Sequence, residues 1–281
     1  MKQITEMKKS MRNDSFKTLS LIALITLFGG CEVEPVQTLP DRDYELVWSD
    51  EFNGDSGIMA DPGKWTYDLG KTGWGNNELQ EYTNNARNVS MDGAGNLVIS
   101  ALKDAGGNYT SARIKTEGLF TQKYGKIEAR IKTPTGTGIW PAFWMLGSNI
   151  NTVTWPNCGE IDILEQKGQQ SNITYGSLHG PGYSGGQAIT TPYGLKNARF
   201  DTDFYIYAVE WGEDYIDFFV NNYLYKRVTP ADVPGKWVYD QPFFLILNVA
   251  VGGNFVGLPP NSNTPFPASM FIDYVRVYKE L

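Results

Sequence analysis

The chain has 281 residues, 41% hydrophobic and 20% charged, a balance that suits one large all-β domain or two small ones with a buried core. Its net charge of −7 argues against nucleic acid or an anionic polymer as the main partner, because both select basic surfaces; a neutral partner fits better. Two cysteines, Cys31 and Cys158, cannot make a disulfide framework, so the fold must stand on its core.

At the N-terminus, Lys8, Lys9, Arg12 and Lys17 precede the apolar run LSLIALITLF at 19–28. The run is too short to span a bilayer and reads as the core of a signal peptide. Gly29, Gly30 and Cys31 follow. Small residues before a cysteine resemble a bacterial lipoprotein signal, in which Cys31 is lipidated after cleavage. Residues 1–31 are therefore expected to be a lipoprotein-type signal peptide, with ordinary secretion as the alternative. The chain would then reside at the bacterial cell envelope, lipid-anchored or secreted. Residues 32–43 are acidic, contain proline and read as a tether.

From Tyr44 onward the pattern is strands and turns. In KIEARIK at 126–132, Ile127, Ala129 and Ile131 share one face and Glu128 and Arg130 the other. FYIYAVEW (204–211), YIDFFV (215–220), LYKRV (224–228) and FFLILNVAV (243–251) are further predicted strands. Asp92-Gly93, Asn221-Asn222 and Gly252-Gly253 mark turns. No long window has a helical period. Many short strands predict an all-β, two-sheet sandwich over 44–281. WSDEF near the start and FIDYVRVY at the end are expected as the first and last core strands.

The segment GEIDILEQKG at 159–168 carries Glu160, Asp162 and Glu165. On a strand the first two share a face, while Ile161 and Ile163 point to the other. Ile163-Leu164 breaks the alternation with one surplus apolar residue. A β-bulge there would return Glu165 to the face of Glu160. Like charges on one face are destabilising, so the cluster points to chemistry. Two carboxyls on one face suit glycoside hydrolysis, one as nucleophile and the other as acid. Cys158 reads as structural, since a catalytic thiol needs a base and the chain has a single histidine, His179.

These residues belong to a wider set: WSDEFNG, GWGNNELQEYT (73–83), ARIKTEGLFTQKYGKIEARIK (112–132), GIWPAFWMLG (138–147), GEIDILEQKG, LHGPGYSGG (178–186) and FIDYVRVY. In that order they resemble the laminarinase-type endo-β-1,3-glucanases of glycoside hydrolase family 16. The resemblance implies a β-jelly-roll sandwich with an open substrate cleft on its concave face and a retaining mechanism. It implies Glu160 as nucleophile, Glu165 as general acid/base, and Asp162 orienting the nucleophile. The family's lichenase branch has E-x-D-x-E; this chain has E-x-D-x-x-E, the form of laminarinases, agarases and carrageenases. GWGNNELQ and HGPGYSGG favour laminarinase. Another polysaccharide hydrolase of the family, acting on mixed-linkage glucan or agarose, and a non-catalytic glucan-binding protein are the rival readings.

A glucan cleft needs aromatic faces for sugar rings and polar groups for hydroxyls. Trp140 and Trp144 share a strand face and are expected in the cleft. Trp74 lies in a glycine-flanked loop and is a candidate platform. Asn77 and Arg113 are the expected polar contacts, with Glu78 and Gln80 fixing their loop. His179 reads as a hydrogen-bonding residue, and the resemblance places it beside the catalytic strand, on a sugar hydroxyl or the acid/base. The resemblance also implies a structural calcium held by Glu51, the Gly95 carbonyl and Asp273; catalysis itself needs no cofactor. A monomer is expected, with the membrane reached only through the lipid anchor.

Overall fold

Short segments of alternating apolar and polar residues can hide one face only by pairing into sheets. The computed structural model describes Gln37 and residues 42–281; the signal segment, Cys31 and most of the tether lie outside the described residues. The first strands are β1 (Tyr44–Asp50), β2 (Thr66–Asp68), β3 (Gln80–Tyr82), β4 (Val89–Met91), β5 (Leu97–Lys103) and β6 (Tyr109–Ser111). Then come β7 (Arg113–Lys115), β8 (Gly125–Lys132), β9 (Ile139–Gly147), β10 (Glu160–Glu165), β11 (Ile173–His179) and β12 (Ile189–Gly194). The last are β13 (Tyr205–Trp211), β14 (Ile216–Val220), β15 (Tyr223–Val228), β16 (Phe243–Val251) and β17 (Ala268–Glu280). Among the described residues there is no α-helix, and so none that could cross a membrane.

One sheet runs β15-β14-β13-β8-β17-β5-β6-β3, with β1 on β17 and β4 on β5. The other runs β12-β11-β10-β9-β16-β7-β2. Every pair is antiparallel except β3 with β6. The two-sheet sandwich expected from the strand pattern is thus present. WSDEF and FIDYVRVY meet directly, Trp48 opposite Val277 and Asp50 opposite Val275.

The core lies between the sheets. Ile127, Ala129 and Ile131 of β8 are fully buried in one apolar cluster with Phe143 and Met145 of β9 and Ile161, Ile163 and Leu164 of β10. All nine residues of β16 are buried, and this strand backs β9 along its whole length. At the hairpin between β14 and β15, Asn221 and Asn222 both have left-handed φ (48° and 65°), the geometry of a type I′ turn. Gly159 has φ +77° and would carry a Cβ 2.9 Å from the Phe243 ring, so only glycine starts the β10 strand this way.

Leu164 is fully buried in the strand that carries the acids. Leu164→Ala is expected to cost about 2–5 kcal/mol in chemical denaturation, through the lost transfer energy and the cavity left behind.

Candidate active site

The irregularity predicted in β10 is present. Toward β9, Asp162 pairs with Trp144 and Leu164 with Phe143, so the register slips between them. Toward β11, it slips between Asp162, opposite Ser177, and Glu165, opposite Tyr175. Ile161, Ile163 and Leu164 point into the core. Glu160, Asp162 and Glu165 all line one pocket of about 530 Å³ on the other side of the strand.

Each acid has different partners. Glu165 is 7% exposed and takes hydrogen bonds from Ser177 Oγ (3.0 Å) and Trp140 Nε1 (3.2 Å). Asp162 is 3% exposed, and His179 Nε2 lies 3.0 Å from its Oδ2. Glu160 Oε2 accepts a hydrogen bond from Trp155 Nε1 at 2.9 Å, while its Oε1 stands 3.6 Å from His179 Nε2.

Burial raises the pKa of Glu165 first, and the negative charge of Asp162 raises it further. Asp162 is raised by burial and by Glu160. Glu160 is raised too, by burial and by the charge of Glu165, against the opposing pull of His179, Trp155 and Arg113. Burial and Asp162 thus favour a proton on Glu165, while His179, Trp155 and Arg113 favour the charged form of Glu160, a difference in the direction that acid and nucleophile roles need. Burial disfavours a charged His179, but the Asp162 hydrogen bond and the three carboxylates outweigh it and push its pKa up to about 10. The Gly185 backbone nitrogen lies 3.1 Å from His179 Nδ1, and Nε2 on the other side of the ring faces Asp162. His179 thus meets Asp162, where the resemblance implied a sugar hydroxyl or the acid/base as its partner.

Aromatic rings frame the carboxyls. Trp144 donates from Nε1 to Asn248 Oδ1 at 2.8 Å, and Trp140 lies 5.1 Å from Phe255 by ring centroids. Both tryptophans line the pocket, as their shared strand face predicts. The Arg113 guanidinium lies between two indoles, 4.6 Å from Trp144 and 5.1 Å from Trp74, and pairs with Asp68 at 2.9 Å. Trp74 also lines the pocket, and its indole N–H is buried with no hydrogen-bond partner among the described residues.

Asn77 departs from the expectation. Its φ of +56° turns the side chain out to Asn254 (2.9 Å), where it is exposed, and its neighbours Asn76 and Glu78 line the pocket instead. Gln80 is loop-fixing as expected: it donates to Glu78 Oε2 at 2.6 Å and accepts from the Val251 N–H at 2.7 Å. Sequence reasoning also missed Trp155, Ser177, Asn248 and Phe255. None has a local pattern that marks it; Trp155 sits five residues before Glu160 in an irregular loop, and the others come from separate strands or turns.

The carboxylates that the resemblance implies for a calcium ion have arginine partners. Carboxylates and a carbonyl are the right chemistry for a hard cation. Here Arg276 holds Glu51 through two hydrogen bonds of 2.9 and 2.8 Å, and Arg130 holds Asp273. With both carboxylates spent on guanidinium groups, the set as arranged does not fit a calcium ion. The one group of three His, Cys, Asp or Glu ligand atoms gathered within 4.8 Å among the described residues is Glu160, Asp162 and His179. These are the groups of the acid cluster itself, with His179 Nε2 3.0 Å from Asp162.

A β-sandwich that gathers two glutamates and an aspartate in one pocket under a rim of tryptophans is the architecture of a glycoside hydrolase. Residues 74–275 match the profile of Glycosyl hydrolases family 16, and the chain belongs to that family. It is 37% identical to a beta-glucanase of Rhodothermus marinus, over 98% of this chain and 97% of that protein. Among solved structures it is similar to the laminarinase catalytic domain of Thermotoga maritima, with 48% identity, a TM-score of 0.79, and coverage of 85% and 99% of the two chains. The endo-β-1,3-glucanase of Pyrococcus furiosus has 42% identity and a TM-score of 0.80, with 89% and 99% covered.

The raised pKa of Glu165 has a consequence for stability. The folded protein keeps a proton that the unfolded chain releases near pH 4.5, so stability is full below that pH and falls as pH rises through the folded value. Glu165→Gln removes this loss. Its Tm should exceed that of the wild type at pH 8, by about 2–4 °C for each kcal/mol relieved, and match it near pH 4.5, as calorimetry at the two pH values would show.

Proposed function

We propose that the protein is a retaining endo-hydrolase of β-1,3-glucan, of laminarin type. The observation that carries this reading is the bulge in β10, which brings Glu160 and Glu165 to one pocket in different environments. The names of its relatives, a beta-glucanase and a laminarinase, support the substrate class. A neutral glucan also suits a chain of net charge −7 and a pocket framed by Trp74, Trp140 and Trp144.

In this mechanism Glu160 attacks the anomeric carbon as the glycosidic bond breaks, and Glu165 gives its proton to the departing oxygen. Glu165, now ionised, then takes a proton from the water that releases the sugar from Glu160. Asp162, tied to His179, orients the nucleophile and keeps negative charge close to Glu165, so that Glu165 regains a proton for the next cycle. Trp74, Trp140, Trp144 and Arg113 supply ring faces and donors to the sugar. Only carboxyls and water take part, and one chain supplies every group, so a monomer suffices.

Glu160→Gln should lower release of reducing ends from laminarin by at least about a thousandfold. No release by wild type on any glucan would leave a glucan-binding protein, an equal release by mutant and wild type would remove Glu160 from the chemistry, and cleavage of agarose or mixed-linkage glucan without laminarin would move the chain elsewhere in the family. Proton NMR of the first product should show the β-anomer; an α-anomer would mean inversion and remove Glu160 from the nucleophile role.

The cell-envelope location rests on the run before Cys31. If Cys31 carries the lipid, Cys31→Ala should shift the protein from the membrane fraction to the soluble fraction on cell fractionation.

A further inference from the structure

The loop of residues 148–159, between β9 and β10, carries the exposed Trp155, which is 42% accessible. A large apolar side chain gains nothing from such a position, and yet this one is held in place. The Asn157 N–H bonds the Thr154 carbonyl at 2.9 Å and the Gly159 N–H bonds the Pro156 carbonyl at 3.1 Å. The root of the loop is pinned where Gln241 Nε2 donates to the Cys158 carbonyl at 2.6 Å and the Ser148 N–H to the Pro242 carbonyl at 2.9 Å. The indole ring centre lies 6.0 Å from that of His179, and Nε1 reaches Glu160 Oε2 at 2.9 Å.

We infer that Trp155 is a positioning residue for the nucleophile: its indole N–H holds Oε2 of Glu160 and leaves Oε1 as the attacking oxygen. The inference deepens the retaining reading above and rests on it. Of the other groups that meet Glu160, His179 Nε2 is 3.6 Å from Oε1, beyond hydrogen-bond distance, and 3.0 Å from Asp162, whose carboxyl itself shares a hydrogen bond with Glu160. So the two oxygens of Glu160 are unequal before any sugar arrives.

The chemistry follows from that inequality. Oε1 forms the bond to the anomeric carbon, the bond to the leaving oxygen breaks, and its electron pair takes the Glu165 proton. Oε2 becomes the carbonyl oxygen of the glycosyl ester and still accepts the Trp155 N–H. In the second half, water adds to the anomeric carbon and gives a proton to Glu165. The bond to Oε1 breaks and its electron pair returns to Glu160. The indole cannot titrate, so the hold on Oε2 lasts through both steps. Bound glucan excludes water from the exposed ring and strengthens the bond.

The groups facing Glu160 are Asp162 and Glu165 on its own strand, His179 from β11, Arg113 from β7, and Cys158 and Tyr239 nearby. Trp155 is the neutral donor among them and favours the ionised carboxylate. Losing it raises the Glu160 pKa, so the acid limb of kcat/KM on laminarin moves to higher pH.

The test is Trp155→Phe, which keeps a ring and removes the N–H, with a pH–rate profile and a thermal melt. The expected result is a kcat/KM lower by about tenfold or more, as for the loss of a hydrogen bond to a charged group, with the acid limb raised by about one pH unit and an unchanged Tm. Trp155 replaced by β-(3-benzothienyl)alanine keeps the indole shape without the N–H and should behave the same, which guards against misfolding of the Phe variant. A wild-type acid limb in the benzothienyl variant overturns the inference. Labelling of the wild type with a 2-deoxy-2-fluoroglucoside, read by mass spectrometry, separates the two levels. Label on Glu160 with an unmoved acid limb overturns the Trp155 role alone; label elsewhere overturns the retaining assignment and this inference together.

Discussion

Ile163 and Leu164 are neighbours that both need the core, and that constraint organises the site. A regular strand sends adjacent side chains to opposite faces, so one of them would meet the carboxyls. Burying a Leu or Ile side chain is worth about 1.5–3 kcal/mol, more than the net value of about 0.5–1.5 kcal/mol for one ladder hydrogen bond. The chain therefore gives up regular pairing, and β9 and β11 each absorb a register slip at the same place. Glu165 comes back to the face of Glu160 and Asp162 as a result.

Gathering three acids in this way would be unstable without a directed set of donors. The neighbours are not a uniform cloud of positive charge. Glu165 receives two neutral donors, Ser177 and Trp140. Asp162 receives the histidine, and Glu160 the indole N–H of Trp155. Burial disfavours ionisation for all three, while the positive groups act mainly on Asp162 and Glu160. Electrostatics and packing thus give chemically similar carboxyls different hydrogen-bond partners and charged neighbours, using the environment rather than residue type.

The same division runs through what was legible in the chain. FFLILNVAV reads as a strand and is one, residue for residue, because a long apolar β-branched and aromatic run has few other ways to be buried. The bulge was legible because a broken alternation leaves a local mark. Trp140 and Trp144 could be placed because their even spacing fixes a shared face. Asn77 was misplaced, since its direction depends on a left-handed φ and on Asn254, 177 residues away. The calcium donors share that difficulty: nothing in the spacing of Glu51 or Asp273 reveals that Arg276 and Arg130 occupy them. The indole of Trp155 was invisible as a partner of Glu160, because an irregular loop has no period from which to project a side chain.

Pattern and composition determined the strand content, the two-sheet architecture, the three acids and the device that turns them to one side. Those features arise between residues close in the chain, where steric alternation and hydrophobic burial act. The tertiary structure decided which donor meets which carboxyl oxygen: His179 on Asp162, Ser177 and Trp140 on Glu165, Trp155 on Glu160. These pairings join β9, β11 and a loop to β10, and hydrogen bonds with tolerances of a few tenths of an ångström are set only once the sheets have packed.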